Sequence, residues 1–327
     1  MTSAAAIAHP NIALAKYWGK QPFGHNLPAV PSLSVTLAGM ATRTRVTLDP
    51  SLNADALVLN GADADATATA RAAGLLGRVR ERAGSTTFAR VESANDFPTS
   101  SGLASSASAF AALATAALAA YGVDATAAER SDLARRTSVS AARSAFSGFA
   151  ELRAGTPGDE VLAAEPVLGP DAWPVAIVVA ATTLAPKATA STAGMAHTAA
   201  TSPFYAAWVA DAPGVFARVK AALLARDLEA LGDAVEESAL AMHASAIAAR
   251  PSVLYWTPAT LEALAAVRAL RLAGVPAWAT MDAGPHVKVL TSRGATARVE
   301  AAMQAVPGVA RVLVATPGEG ARLEAGR

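Results

Sequence analysis

Ten residues near the start, Asn11-Ile-Ala-Leu-Ala-Lys16-Tyr17-Trp18-Gly19-Lys20, hold two of the five lysines in a chain that carries 22 arginines. Lysine placed here, in a sequence so biased to arginine, points to a need for a compact ammonium. Such a group suits a phosphate or a reacting carboxylate; a solvated pair beside a partly buried Tyr-Trp is the plain alternative. A second segment, Pro98-Thr-Ser-Ser-Gly-Leu-Ala-Ser-Ser-Ala107, is glycine and small residues leading into a helix. Backbone N–H groups at such a helix start can cradle a phosphate, and the helix dipole favours its charge. Ser101, Gly102, Ala104, Ser105 and Ser106 are the candidates, with Ser106 also able to contact the Mg²⁺ that accompanies ATP. An Ala/Ser helix packed tightly on a neighbour reads equally well, and GxxxxGK[ST] is absent. Ser138, Ser140 and Arg143 form a third group, two hydroxyls and a guanidinium that could fork a carboxylate or phosphate, though serines and an arginine at a helix end are ordinary. Fourth is Met281-Asp282-Ala-Gly-Pro-His286, turn chemistry by default, but also a strand end where a scaffold can hold a carboxylate over a substrate.

Composition excludes several classes. Without cysteine there is no disulfide, thiolate nucleophile or Cys-ligated metal site. Lys+Arg 27 against Asp+Glu 26 gives no global field for nucleic acid or anionic lipid, so an anionic substrate must be held by a local cluster of bases. The five histidines lack metal-ligand spacing, and neither GxSxG nor a GxGxxG after a strand occurs. Phe97 to Val123 is uncharged, yet its first half is rich in Ser and Gly, so we expect a buried helix in a soluble, cytoplasmic protein rather than a membrane span.

The elements that must position these groups alternate without strict βαβ order, which points to an α+β fold. Short strands are expected over Leu33–Ala38, Thr42–Leu48 and Phe88–Ser93, and a helix over 62–84 ending at Gly84. Asp124 reads as the N-cap of the next helix. Val175–Ala181 is a strand buried on both faces, and composition changes around it, so the lobes divide near residue 180: 1–180 and 181–327. Residues 213–249 carry helical periodicity, and Thr257-Pro258 starts a helix that Gly274 stops. Trp278–Met281 and Val287–Leu290 are strands joined by DAGPH, followed by a helix over 295–306 and a strand over 309–314.

Together NIALAKYWGK, SLSVTL, NDFPTSSGLASSASAF, SVSAARS and TMDAGP resemble, in order and spacing, the diphosphomevalonate decarboxylases of the superfamily that includes galactokinase and mevalonate kinase. The likeness runs from about residue 8 to 290. It implies an N-terminal lobe like ribosomal protein S5 domain 2, a ferredoxin-like C-terminal lobe with the site in the cleft between them, and a homodimer. It also implies that ATP, with Mg²⁺, phosphorylates a tertiary 3-hydroxyl, after which phosphate and CO₂ leave. By that resemblance Asp282 and Lys16 are catalytic, Tyr17 and Lys20 bind the substrate's terminal phosphate, and Arg143 clamps an anionic group with Ser138 and Ser140. Ser105 and Ser106 then hold ATP phosphates, with Lys187 and Ser191 nearby. This sequence departs from the family at Val30-Pro31, at Thr137 and Val139 where glycine is usual, and at His286 where asparagine is common. Branched residues reshape a loop built for glycine, so a monophosphate substrate, or a kinase that stops at the 3-phosphate, is the alternative reading. A non-catalytic ligand-binding relative is the third.

Overall fold

The computed structural model describes residues 2–97, 105–183, 185 and 189–324. The chain begins with β1 (Ser3–Ala8), β2 (Asn11–Ala15), β3 (Ser32–Thr36), β4 (Thr42–Leu48), β5 (Ala56–Leu59) and β6 (Ala62–Asp63). Helix α1 (Ala66–Ala83), β7 (Ala89–Asn95), α2 (Ser105–Ala120) and α3 (Ala127–Thr137) follow. A 3-10 helix over Val139–Ala145 leads into β8 (Phe149–Leu152), β9 (Glu165–Leu168) and β10 (Val175–Ala181). Four helices come next: α4 (Ser191–Thr201), α5 (Tyr205–Ala225), α6 (Leu228–Ile247) and α7 (Pro258–Leu272). The chain closes with β11 (Trp278–Thr280), β12 (Val287–Ser292), α8 (Thr296–Gln304), β13 (Arg311–Ala315) and β14 (Arg322–Leu323).

Three sheets result, ordered β14-β1-β4-β7-β5-β6, β2-β3-β8-β9 and β11-β12-β10-β13. In β4, Thr42, Thr44 and Val46 turn inward while Arg43 and Arg45 face out, the period of two expected of a strand with one wet face. The inward residues meet α2, whose small side chains let it lie close; Thr42 Oγ1 and Ser108 Oγ are 2.6 Å apart. The described part of the uncharged run, Ser105–Ala120, is thus an interior helix, buried along most of its length. Among the described residues no helix is long and apolar enough to cross a membrane.

In the C-terminal lobe β10 is buried throughout and pairs antiparallel with β12 and β13. The strand order and the intervening helices give the β-α-β-β-α-β arrangement of ferredoxin-like folds. Alternate β10 residues serve two cores. Val178 and Ala180 pack with Val267, Val299 and Met303 of α7 and α8. Val175, Ile177 and Val179 join Val215, Val219 and Leu231 of α5 and α6 together with Ile12, Leu14, Leu33 and Val35 of β2 and β3. Burying one such aliphatic side chain contributes about 1.5–3 kcal/mol. A continuous apolar core therefore holds β2 against the lobe that carries β11, and this fixes the geometry of the site.

Two local expectations are corrected and one is refined. Thr126, not Asp124, caps α3, because its hydroxyl accepts from Glu129 N–H while the Glu129 carboxylate returns to Thr126 N–H, satisfying two helix-end donors at once. The periodic stretch 213–249 is two helices, parted where Arg226 turns left-handed (φ 56°) and Asp227 caps Ala230 N–H. The helix expected from 62 starts at Ala66, since Ala62–Asp63 pairs with β5 and Asp65 supplies the cap.

Candidate active site

The NIALAK segment is strand β2, and its pairing with β3 slips between Ala13 and Ala15, a bulge that redirects the chain as it leaves the sheet. Lys16 follows directly. Its side chain is 2 % exposed, and its Nζ donates to Ala13 O and to Asp282 Oδ1, both at 2.7 Å. Thr280 of β11 also donates to Ala13 O, at 3.4 Å, so the same carbonyl ties β2 to the strand that delivers Asp282. The segment from Met281 to His286 does join β11 to β12, as turn chemistry implied. It is pinned by Thr182 Oγ1 and Thr260 Oγ1, both donating to Pro285 O, and by Gly284 N–H donating to Asp282 O. The carboxylate is thereby held on a braced loop rather than a free one.

A second ammonium meets the same carboxylate: Lys288 Nζ lies 3.2 Å from Asp282 Oδ2, on a side chain with no exposed surface. Burial alone would raise the Asp282 carboxyl, but Lys16 and Lys288 outweigh it and hold the group well below the usual carboxylate range. Burial pushes the Lys16 ammonium down to about 8, with Asp282 opposing and Lys288 and Arg143 reinforcing. The cluster is thus a carboxylate set between two lysines, Oδ1 toward Lys16 and Oδ2 toward Lys288. The two histidines beside it add no positive charge: His243 and His286 are fully buried, and burial chiefly pushes each down to about 3.

Around this pair opens a cleft of about 560 Å³, lined by Lys16, Tyr17, Lys20, Ser105, Ser106, Ser138, Ser140, Arg143, Ser191 and Asp282. The structure thus brings together every described residue singled out from sequence. Ser101, Gly102, Ala104 and Lys187 lie outside the described residues. Arg143 has its own protein partners on β3. Arg143 is gripped by Ser34 Oγ at 2.9 Å and Ser32 Oγ at 2.6 Å, both on β3, while Ser138 and Ser140 hydrogen-bond to each other at 3.3 Å. The 3-10 helix aims the guanidinium back at the sheet, so the β3 hydroxyls reach it first. Burial lowers Arg143 to about 10, which leaves it charged.

Tyr17 brings a buried hydroxyl with no hydrogen-bond partner among the described residues, and burial pushes its phenol up. Lys20 and Arg71 both line the cleft, and burial, reinforced by repulsion from Arg71, lowers Lys20. Arg71 is held there by stacking 4.5 Å over Phe110 and by donating to Thr137 O. A partnerless donor beside two mutually repelling cations is a site built for a polyanion. Sequence reading missed Arg71, Lys288, Ser32 and Ser34. A lysine inside the apolar run Val287–Leu290 was the one visible signal; Arg71 sits in an Ala/Arg-rich helix that marks none of its arginines.

The residues present also fit a magnesium nucleotide. Ser105 at the start of α2 and Ser191 at the start of α4 both line the cleft, and a helix start with a hydroxyl is the kind of group that suits phosphate oxygens. No group of three or more His, Cys, Asp or Glu able to hold a metal occurs among the described residues. A divalent ion here would be carried chiefly by phosphate oxygens, as Mg²⁺ commonly is.

Comparison with known proteins gives the family. Residues 8–163 match the diphosphomevalonate decarboxylase-like N-terminal domain, and residues 175–315 the mevalonate 5-diphosphate decarboxylase C-terminal domain. The diphosphomevalonate decarboxylase of Candida albicans is 32 % identical over 305 residues, covering 88 % of this chain and 84 % of its own. The phosphomevalonate decarboxylase of Haloferax volcanii is 33 % identical over 302 residues, covering 92 % and 91 %. A structure of the mevalonate diphosphate decarboxylase from Enterococcus faecalis, concerned with ATP binding mediated by mevalonate diphosphate, superposes with a TM-score of 0.90 at 38 % identity over 99 % of both chains. The chain belongs to the diphosphomevalonate decarboxylase family.

Proposed function

We infer that this protein catalyses the ATP-dependent decarboxylation of mevalonate 5-diphosphate to isopentenyl diphosphate. The observation that carries the reading is the contact of Lys16 with Asp282 in a cleft that also gathers Lys20, Arg71, Arg143 and several serine hydroxyls. ATP with Mg²⁺ supplies the γ-phosphoryl group and part of its charge neutralisation. Asp282 accepts a hydrogen bond from the substrate 3-hydroxyl and points its oxygen at the phosphorus. As a weak base it takes the proton late, which a loose phosphoryl-transfer transition state permits. Lys16 bridges that carboxylate and the transferring group, stabilising charge where it develops. The electrons of the breaking bond to the carboxyl carbon then form the alkene as phosphate leaves C3, giving CO₂ and inorganic phosphate. Arg143, steadied by Ser32 and Ser34, holds an anionic group of the substrate, assisted by Ser138 and Ser140. Tyr17 and Lys20, with Arg71, take the terminal phosphate. Ser105 and Ser106 hold nucleotide phosphates, with Ser106 the residue nearest in kind to a Mg²⁺ contact, and Ser191 and Lys187 assist.

A monophosphate substrate is the second reading. Thr137 and Val139, with Val139 buried, line the cleft where the family usually has glycine, and the Haloferax volcanii relative acts under the monophosphate name. Comparing kcat/KM for ADP release on mevalonate, its 5-phosphate and its 5-diphosphate tests the point. The diphosphate is expected to win by at least about tenfold, the value of one good charged contact; a monophosphate preference of that size overturns the reading. The lobe division is likewise a proposal: β10 pairs with β12 and β13, which supports drawing the line just before Val175, a few residues ahead of 180. A homodimer in the cytoplasm completes the proposal, checked by sedimentation velocity and cell fractionation.

A further inference from the structure

Lys288 is the surplus group in this site. It is the second residue of β12, beside Val287, Val289 and Leu290, all buried, and is itself fully buried. A buried ammonium is costly unless charge compensates it, and nothing in the strand's pairing calls for one. The register of β12 on β11 sets Lys288 opposite Thr280, two residues before Asp282, and this delivers the ammonium to Oδ2 at 3.2 Å. Asp282 is therefore held at both oxygens by different lysines. They are not equivalent. Lys16 lines the cleft and already divides its bonds between Asp282 and Ala13 O, whereas Lys288 is not among the residues lining the cleft.

We propose that Lys288 is a positioning residue for the reaction: it keeps Asp282 anchored and ionised while Lys16 turns toward the transferring phosphoryl group. A carboxylate held at one oxygen can swing about its side-chain bonds as Lys16 is recruited; held at two, it stays in line with the 3-hydroxyl. Among the described residues the charged and titratable neighbours are Lys16 after β2, Arg143 on the 3-10 helix, His243 on α6 and His286 on the same loop as Asp282. The histidines stay neutral above about pH 3, so the two lysines and Arg143 set the field at the carboxylate. Both lysines lower the Asp282 carboxyl, which supports the geometry.

The inference rests on the decarboxylase reading, so wild-type CO₂ release is measured first, and its absence counts against that reading rather than against Lys288. Lys288→Met and Lys288→Arg are then compared with wild type for ADP and CO₂ release across pH. In the Met variant kcat is expected to fall by about 10- to 100-fold with KM little changed, the scale of a misplaced catalytic group. The acid limb of kcat should move to higher pH as Asp282 loses one of two neighbouring cations, and Arg should restore most of the rate. A Met variant within twofold of wild-type kcat with an unmoved acid limb overturns the proposal. So does a loss of melting temperature and rate together with the limb unmoved, which marks a purely structural lysine. Should the Met variant not fold, a crystal structure of wild type with mevalonate 5-diphosphate decides: Lys288 Nζ within hydrogen-bond distance of Asp282, below about 3.5 Å, supports the proposal, and a clearly separated ammonium refutes it.

Discussion

Replacing Asp282 with Asn keeps the side chain's shape and one acceptor while removing the charge between Lys16 and Lys288. Two consequences follow. The rate loses an oriented anionic acceptor in a water-poor site, a loss of about 10²–10³ or more in kcat by comparison with other single charge-stabilising groups. Stability suffers because two buried ammoniums lose their counter-ion. Breaking a buried pair commonly costs about 3–5 kcal/mol. The Asp282 side chain is 24 % exposed to the cleft, so water partly replaces it and the lower end is the better expectation. Against a typical total of about 5–15 kcal/mol the variant still folds. The pH dependence has a definite sign. In wild type the folded-state pKa of Lys16, about 8, lies below its ordinary value of 10.5, so the unfolded chain binds more protons in that window and stability rises with pH across it. Without Asp282 the main influence raising Lys16 is gone, and the window opens at lower pH. The variant's deficit is therefore largest near pH 6 and narrows as the pH rises toward 8. Denaturant melts at several pH values, beside ADP and CO₂ release, test both halves. An Asn variant with near wild-type CO₂ release, or a deficit that does not narrow with pH, refutes the reasoning.

Other expectations follow from the same geometry. Because Lys16 titrates at about 8, kcat/KM should decline as pH rises through that value, and Lys16→Arg should remove the decline whatever it does to the maximum; a flat profile to pH 10 contradicts the assigned role. Tyr17→Phe deletes a buried hydroxyl with no hydrogen-bond partner among the described residues, so the melting temperature should hold or rise while KM for mevalonate 5-diphosphate increases by about tenfold; unchanged KM shows that the hydroxyl does not meet the substrate. Gly19 adopts φ 106°, and a Cβ there would sit 1.9 Å from Tyr205 Oη. Gly19→Ala should accordingly destabilise by about 2 kcal/mol or more and weaken substrate binding by shifting Tyr17 and Lys20, an effect read by thermal melts and KM together.

What sequence made legible was chemistry at the ends of strands. Lys16 stands at a strand terminus in a lysine-poor chain and Asp282 in a turn after an apolar strand, and the structure joins them. Regular elements with strong local signals were equally clear: the Gly84 stop of α1, the Thr257-Pro258 start of α7 and the apolar β10. Groups whose meaning depends on register were not. Lys288 sits beside Asp282 only because β12 pairs with β11 in one register, and Ser32 and Ser34 grip Arg143 only because β3 lies under the 3-10 helix. Nor does the short segment Arg322–Leu323 advertise that it returns to edge β1; two residues carry no periodicity.

The most direct test of the account counts products from wild-type protein given mevalonate 5-diphosphate, ATP and Mg²⁺. Phosphorylation of the 3-hydroxyl followed by loss of phosphate predicts equal amounts of ADP, inorganic phosphate and CO₂ throughout turnover. ADP accumulating without CO₂ would show a kinase that stops at the 3-phosphate and contradict the account.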